Sequence, residues 1–126
     1  MTETTGQRSE AQCRAAARAE QITRQRWAAA LLGKMLDYAA IQGLPSIAWC
    51  IDSAGAGLAG RCEAYPMARR RADFNAWRLA VGAWARQDAD VQRIQAGSGA
   101  AVRLVDQWDR IERVTVTVSA DLWAEI

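Results

Sequence analysis

The chain has 126 residues, of which 51% are apolar and 24% are charged, and its net charge is +2. This length is typical of one domain whose core needs no disulfide or metal, and the composition is that of a globular protein. No apolar run reaches the roughly 18 residues of a membrane span. The polar start, MTETTGQRSE, lacks the apolar core of a signal peptide. The expected location is the cytoplasm, with no membrane partner.

The absence of histidine excludes several kinds of chemistry. No Ser-His-Asp or Cys-His triad, histidine general base or histidine-bound zinc can be built without it. Cys13, Cys50 and Cys62 are too few for an all-cysteine zinc site and lack Cys-x-x-Cys spacing. The sequence therefore predicts no metal and no cofactor.

The first predicted element is a long helix from Ser9 to Gln42, preceded by a flexible tail of residues 1–8. Ser9 is the predicted N-cap, and Gly43 supplies the C-terminal stop. Apolar residues recur at three- and four-residue steps in its second half, which predicts one buried stripe. The stripe consists of Ala28, Leu31, Leu32, Met35 and Ala39.

A β-hairpin is predicted next, because SIAWCID alternates in the manner of a strand and LAGRCEA can pair back onto it. Between them GAGLAG, residues 55–60, spells G-x-G-x-x-G. A dinucleotide fingerprint requires a helix opening at the third glycine, but only RCEAY separates Gly60 from Pro66. A kinase-type loop needs a downstream strand lysine, and the single lysine, Lys34, lies upstream.

We therefore interpret GAGLAG as the bend of the hairpin. Gly55 and Gly57 are expected at turn positions with positive φ, and Gly60 is expected to relieve crowding within the strand. No helix is expected before Pro66.

A second helix is predicted from Met67 to about Gln87, with Pro66 in its first turn and a stripe of Phe74, Trp77, Val81 and Trp84. Residues 88–100 fit a helix extension, a strand or a loop, and the sequence does not choose among them. AVRLVDQW and RVTVTVSA then predict two strands joined by the turn DRIE.

The predicted fold is α+β, a two-layer sandwich in the order α-β-β-α-β-β, formed by residues 9–126 as a single domain. A four-stranded, mainly antiparallel sheet carries both helices on one face. The predicted core includes Leu32, Met35, Trp49, Phe74, Trp77, Val81, Trp84 and Val116.

The other face of this sheet has no helix to cover it. A bare face rich in β-branched and aromatic side chains would need a partner, and a second copy of the chain is the simplest one. The leading hypothesis is a non-enzymatic protein-interaction module that acts as a homodimer.

Nucleic acid is the alternative partner, because two groups of arginines suit a phosphate backbone. One group lies on the first helix: Arg14, Arg18, Arg24 and Arg26. The other, Arg69, Arg70 and Arg71, opens the second helix, where positive charge opposes the helix dipole and hints at a bound anion. Charge runs usually stay in water, so a solvated charged face is the favoured explanation of either group.

A third hypothesis is a small carboxylate-dependent enzyme. Late carboxylates can act as acid and base or pair with neighbouring arginines across the last hairpin; they are Asp106, Asp109, Glu112, Asp121 and Glu125. Cys50 and Cys62 also face each other across the first hairpin if its turn has an odd length, so both a disulfide and two buried thiols stay open.

Three stretches, GLPSIAWCIDSAGAGLAGRCE, RADFNAWRLAVGA and VTVTVSADLW, resemble small uncharacterised actinobacterial proteins associated with mobile genetic elements. The resemblance covers roughly residues 28–123. It implies an accessory protein of such an element and carries no catalytic residues.

Overall fold

A computed structural model describes residues 5–52, 57–85, 91–96 and 101–123. Within these ranges the chain forms two helices and one five-stranded sheet. The elements are α1 (Thr5–Gln42), β1 (Ala48–Ile51), β2 (Gly57–Cys62), α2 (Met67–Ala85), β3 (Val91–Ala96), β4 (Ala101–Ile111) and β5 (Val114–Trp123).

The predicted α+β class and the order of its six elements are confirmed, and the structure adds β3 as a fifth strand. The sheet order is β1-β2-β5-β4-β3. β1–β2, β3–β4 and β4–β5 pair antiparallel, whereas β2 and β5 run parallel. The sheet is therefore mixed. The chain between β2 and β5 passes through α2, β3 and β4, and β5 then runs in the same direction as β2. Part of the undecided segment 88–100 is the edge strand β3.

Helix α1 is longer than predicted, since it begins at Thr5 rather than at Ser9. Ser9 is thus an interior residue of the helix and not its N-cap, and residues 5–8 are not a tail. Good helix formers such as Gln, Arg and Glu surround Ser9, so a side-chain cap does not stop propagation there. The predicted stop is confirmed: Gly43 has φ 69°, and the Leu44 N–H donates to the Ala39 carbonyl at 3.0 Å.

The hairpin of β1 and β2 is confirmed, with no helix before Pro66. Gly55 lies outside the described residues. The prediction for Gly57 is wrong: it is the first residue of β2, in register with Thr115, and its φ is not positive. The Gly57 carbonyl accepts a hydrogen bond from the Asp52 N–H at 3.2 Å. This bond joins the two strands at the base of the connecting turn.

Gly60 relieves crowding as predicted. A Cβ at this position would lie 2.8 Å from Ile47 Cδ1 and 2.8 Å from two ring atoms of Trp49. The Trp49 ring therefore crosses β2 where only glycine leaves room.

The core lies between the sheet and both helices, which cover the same sheet face. On β5 the valines point into it, and Thr115 and Thr117 point away. Of the predicted core, Met35, Phe74, Trp77, Val81 and Val116 are buried, while Leu32, Trp49 and Trp84 are partly buried and pack against them. Trp108 is also buried, whereas Trp27 and Trp123 are exposed.

The three cysteines are free. Cys50 is in register with Ala59 and Trp49 with Gly60, so Cys50 and Cys62 do not face each other. Cys62 is buried on the helix side and Cys50 is exposed on the opposite face, which decides against both a bridge and two buried thiols.

Candidate interaction surfaces

The open sheet face has no helix over it, and it carries both polar and apolar side chains. β5 contributes Thr115, Thr117 and Ser119, and its neighbours contribute Ala59 and Gln107. A shallow groove of about 320 Å³ runs between Cys50, Asp52 and Thr115. Val105 and the exposed Trp123 lie on the same face as the threonines, so this face is mixed rather than uniformly apolar.

The charges on the open face are neutralised within the face. Arg103 donates to the Asp121 carboxylate at 2.6 and 3.1 Å, and Arg61 donates to Glu63 at 2.7 Å. The Arg103 contact holds the pKa of Asp121 below its usual range. This face therefore presents no unpaired cation to a phosphate backbone among the side chains named here.

Most of the exposed large apolar side chains of the described residues lie on the helices. Among the described residues, the exposed large apolar side chains include five on α1 and one on α2. Those on the helices are Ile22, Trp27, Leu36, Tyr38, Ile41 and Leu79. Ile22 and Leu36 lie within about 40° of each other around the α1 axis, and this side of α1 is called the outer helical surface. Ile41 points to another side of α1, and Leu79 lies on α2.

An apolar groove of about 200 Å³ lies between the two helices. It is lined by Tyr38 of α1 and by Ala80, Ala83 and Trp84 of α2. The Tyr38 and Trp84 rings meet edge to face, with centroids 5.5 Å apart. This aromatic pair links α1 to α2 at the groove.

The N-terminal half of α1 is an arm that projects from the domain. Residues 9–24 are exposed at every position, over a length of about 24 Å at 1.5 Å per residue. The first contacts with the domain come from Gln25, which donates to the Asp52 carbonyl at 3.2 Å, and from Trp27, whose ring lies 4.9 Å from the Arg113 guanidinium carbon.

The arginines predicted to bind anions do not form one basic surface. Arg14, Arg18 and Arg24 lie on the arm and Arg26 lies just after it, all exposed. The arm leaves the domain beside the Glu112–Arg113 turn, which precedes β5. Arg70 lies at the other end of β5, where it donates to the Asp121 carbonyl. The two groups therefore sit at opposite ends of the sheet.

Arg70 is itself buried, at 5% exposure, which corrects its assignment to an anion site. Its guanidinium donates to the backbone carbonyls of Ala64 at 3.0 Å, Asp121 at 2.7 Å and Glu63 at 3.1 Å. The Tyr65 and Trp123 ring centroids lie 4.6 and 4.9 Å from its guanidinium carbon. These contacts tie the start of α2 to the ends of β2 and β5, so Arg70 is structural. Arg69 and Arg71 remain exposed.

The late carboxylates are dispersed rather than paired. Asp106 is 1% exposed on the helix side, 3.6 Å from Arg78 Nε. Asp121 lies on the opposite face, beside a depression of about 390 Å³. Glu112 pairs with Lys34 at 2.8 Å, and Asp109 accepts from Thr115 at 3.2 Å. The predicted pairing with arginine across the last hairpin is confirmed for Asp121; Glu125 lies outside the described residues.

A comparison of the chain with protein-family models, with curated proteins and with solved structures found no match. The resemblance to actinobacterial mobile-element proteins therefore stays a prediction. Neither helix, over the residues described, is long and apolar enough to cross a membrane. The described residues include no group of three metal-ligating side chains.

Proposed function

We propose that the protein is a non-enzymatic interaction module that acts as a homodimer through its outer helical surface. The observation that carries this proposal is the distribution of exposed apolar side chains. Ile22 is 54% exposed and Leu36 47%, and both lie on the outer helical surface. Large apolar side chains grouped on one surface mark an association site more often than a solvated one.

The proposal places the interface on the opposite side of the domain from the bare sheet face. That face keeps its polar groups in water or in internal pairs, as Arg103 and Asp121 do. Burying it in a dimer would require desolvating these groups. The outer helical surface offers apolar area at little such cost.

Sedimentation of the full chain over about 1 to 300 µM tests the proposal, because a modest interface dissociates within that range. We expect the mass to rise from monomer to dimer with concentration. Leu36→Glu is expected to shift the equilibrium to monomer, whereas Thr117→Arg, on the open sheet face, is expected to leave it unchanged. A monomer at every concentration, or dissociation caused by Thr117→Arg alone, would refute the proposal.

Nucleic-acid binding is the second candidate function, and the exposed arginines of the arm favour it. Arg14 and Arg18 lie one turn apart on the arm, and such a spacing follows a phosphate backbone. Gel-shift titration with duplex and single-stranded DNA at low and moderate salt tests it. Salt-dependent binding that is weakened by Arg14→Gln and Arg18→Gln would support this candidate function. A lack of binding to both duplex and single-stranded DNA at low salt would eliminate it.

A further inference from the structure

We infer that two copies pair through α1 in antiparallel orientation, so that the arm of each copy lies along the second half of the partner's α1. This inference rests on the proposed homodimer and specifies its geometry. The residues concerned lie on an exposed side of α1 that borders the buried stripe of Ala28 and Met35.

An apolar repeat of seven residues runs along that side. Ala15, Ile22, Ala29 and Leu36 are spaced seven apart, and all four are exposed. Ile22 is 54% and Leu36 47% exposed, so each leaves about half of a large apolar side chain in water. A repeat of seven keeps the same side of a helix facing a partner helix over several turns.

The large residues of the repeat are placed for a two-fold axis. Ile22 and Leu36 lie seven residues on either side of Ala29. An axis at Ala29 therefore sets Ile22 of each copy opposite the Leu36 of the other copy. Ala29 and Gly33, where an added Cβ would meet nothing within 4 Å, let the two backbones approach closely at the centre.

The charges of α1 select the antiparallel orientation. Residues 9–27 contain four arginines and two glutamates, whereas residues 28–42 contain only Lys34 and Asp37 as charged residues. A parallel pair would set the two basic halves side by side. The antiparallel pair sets each basic half against the neutral half of the other copy, which carries the exposed Asp37.

This geometry also accounts for the projecting arm. A helical segment exposed on all sides has only its intrinsic propensity to hold it together, which is marginal in water at this length. In the antiparallel pair, Ala15 and Ile22 of the arm pack on the partner's α1 and thereby gain the tertiary support that their own domain does not provide.

Site-directed cross-linking tests the orientation in the full chain. The exposed Cys13 and Cys50 are first replaced by serine, and the sedimentation of this background is verified. A short bis-maleimide is then added to Ala29→Cys, to Ile22→Cys, and to a mixture of Ile22→Cys with an affinity-tagged Leu36→Cys. The tag gives the mixed product its own mass.

We expect Ala29→Cys to cross-link to itself and the mixture to give the mixed dimer. Ile22→Cys alone should not cross-link, because an antiparallel pair separates its two sites by about 21 Å. Efficient cross-linking of Ile22→Cys alone would establish the parallel orientation and overturn the inference. A sedimenting dimer that no variant cross-links would place the interface elsewhere and would also overturn it, while leaving the homodimer intact.

Ile41→Glu is the matched control for Leu36→Glu. Ile41 is more exposed than Leu36, but five residues further along α1 it points roughly 140° away from it. We expect Leu36→Glu to raise the dissociation constant at least about tenfold and Ile41→Glu to change it less than about threefold. Equal effects of the two would show that the interface does not follow the repeat.

Discussion

Arg70 is a charged residue whose burial is compensated by its surroundings. Its donors reach three backbone carbonyls, of Glu63, Ala64 and Asp121, and two aromatic rings flank its plane. Removal of the guanidinium would leave carbonyls without a donor in a site that admits little water. The planar guanidinium group of arginine can donate to several acceptors in different directions, which the ammonium group of lysine does less well.

We predict that Arg70→Lys lowers the free energy of unfolding by about 2 kcal/mol and Arg70→Ala by about 3 kcal/mol. Urea denaturation followed by tryptophan fluorescence measures both. The neighbouring Arg71 is exposed, so Arg71→Ala serves as the control and should stay within about 0.5 kcal/mol of the unmodified chain. Equal losses at the two positions would contradict a structural role for Arg70.

Cys62 differs from the other two thiols in both access and acidity. Burial, and next the Asp73 carboxylate, raise the pKa of Cys62 to about 12, although Arg70 opposes the shift. Cys13 and Cys50 are exposed. At pH 8 we expect two thiols to react rapidly with a disulfide reagent and the third only after denaturant is added. Rapid reaction of three thiols in the folded protein would contradict this.

The same pKa shift gives a stability dependence with a definite sign. The unfolded thiol ionises near 9.0, whereas the folded one keeps its proton to about 12. Unfolding therefore releases a proton between these values, so the contribution of Cys62 to stability falls as pH rises from about 9 to about 12. Cys62→Ala should remove that part of the slope in denaturation series across this range.

At the scale of an element, the β4–β5 turn depends on α1. Glu112 and Arg113 have φ of 47° and 72°, a left-handed pair without glycine. Lys34 holds Glu112 at 2.8 Å, and Trp27 stacks on Arg113. These contacts offset backbone strain of about 1 kcal/mol per residue.

We predict that Arg113→Ala lowers the free energy of unfolding by about 1 kcal/mol, because it loses the Trp27 contact and keeps the strain. Arg113→Gly loses the same contact but relieves the strain, so its net change should be close to zero. Thermal and urea denaturation of the two variants provides the comparison. If glycine destabilises as much as alanine does, strain at this residue is not significant.

At the scale of the whole molecule, the domain and the arm have separable roles. The core comprises residues of α1 from Ala28 onward, and the first domain contacts are made by Gln25 and Trp27. We predict that removal of residues 1–23 changes the free energy of unfolding of the dilute monomer by less than about 1 kcal/mol. The truncated chain should also fail to dimerise, because it lacks Ala15 and Ile22.

Circular dichroism and sedimentation test this separation together. The helical signal should fall in proportion to the helix removed, while cooperative unfolding of the domain persists. An unfolded truncated chain would show that the arm contributes to folding, and a truncated chain that still dimerises would place the interface outside the arm.

The local patterns of the sequence predicted most of the elements. Three- and four-residue spacing identified the buried stripe of α1 that includes Met35, and alternation identified β5 with Val116 inward. Gly43 was correctly predicted to end α1. Gly60 was correctly predicted to leave room for neighbouring side chains, which are those of Ile47 and Trp49. These are short-range properties, because each depends on residues within a few turns or across one hairpin.

Other features were not predictable because they depend on distant parts of the chain. The parallel pairing of β2 with β5 joins residues 57–62 to 115–120, and no local pattern records it. Arg70 carried the same sequence signal as Arg69 and Arg71, but only the ends of β2 and β5 bury it. The repeat of Ala15, Ile22, Ala29 and Leu36 is visible in the letters, yet it indicates a surface only once the core side of α1 is known.

The sequence by itself determined the α+β class, the order of its six predicted elements and the exclusion of histidine chemistry, since these follow from residue types and periodicity. Only the tertiary structure decided which arginines are structural, which carboxylates are paired with cations, and which apolar side chains of the helices stay exposed. The physical reason is that burial is a collective property: a side chain loses water only when elements far apart in the chain pack over it.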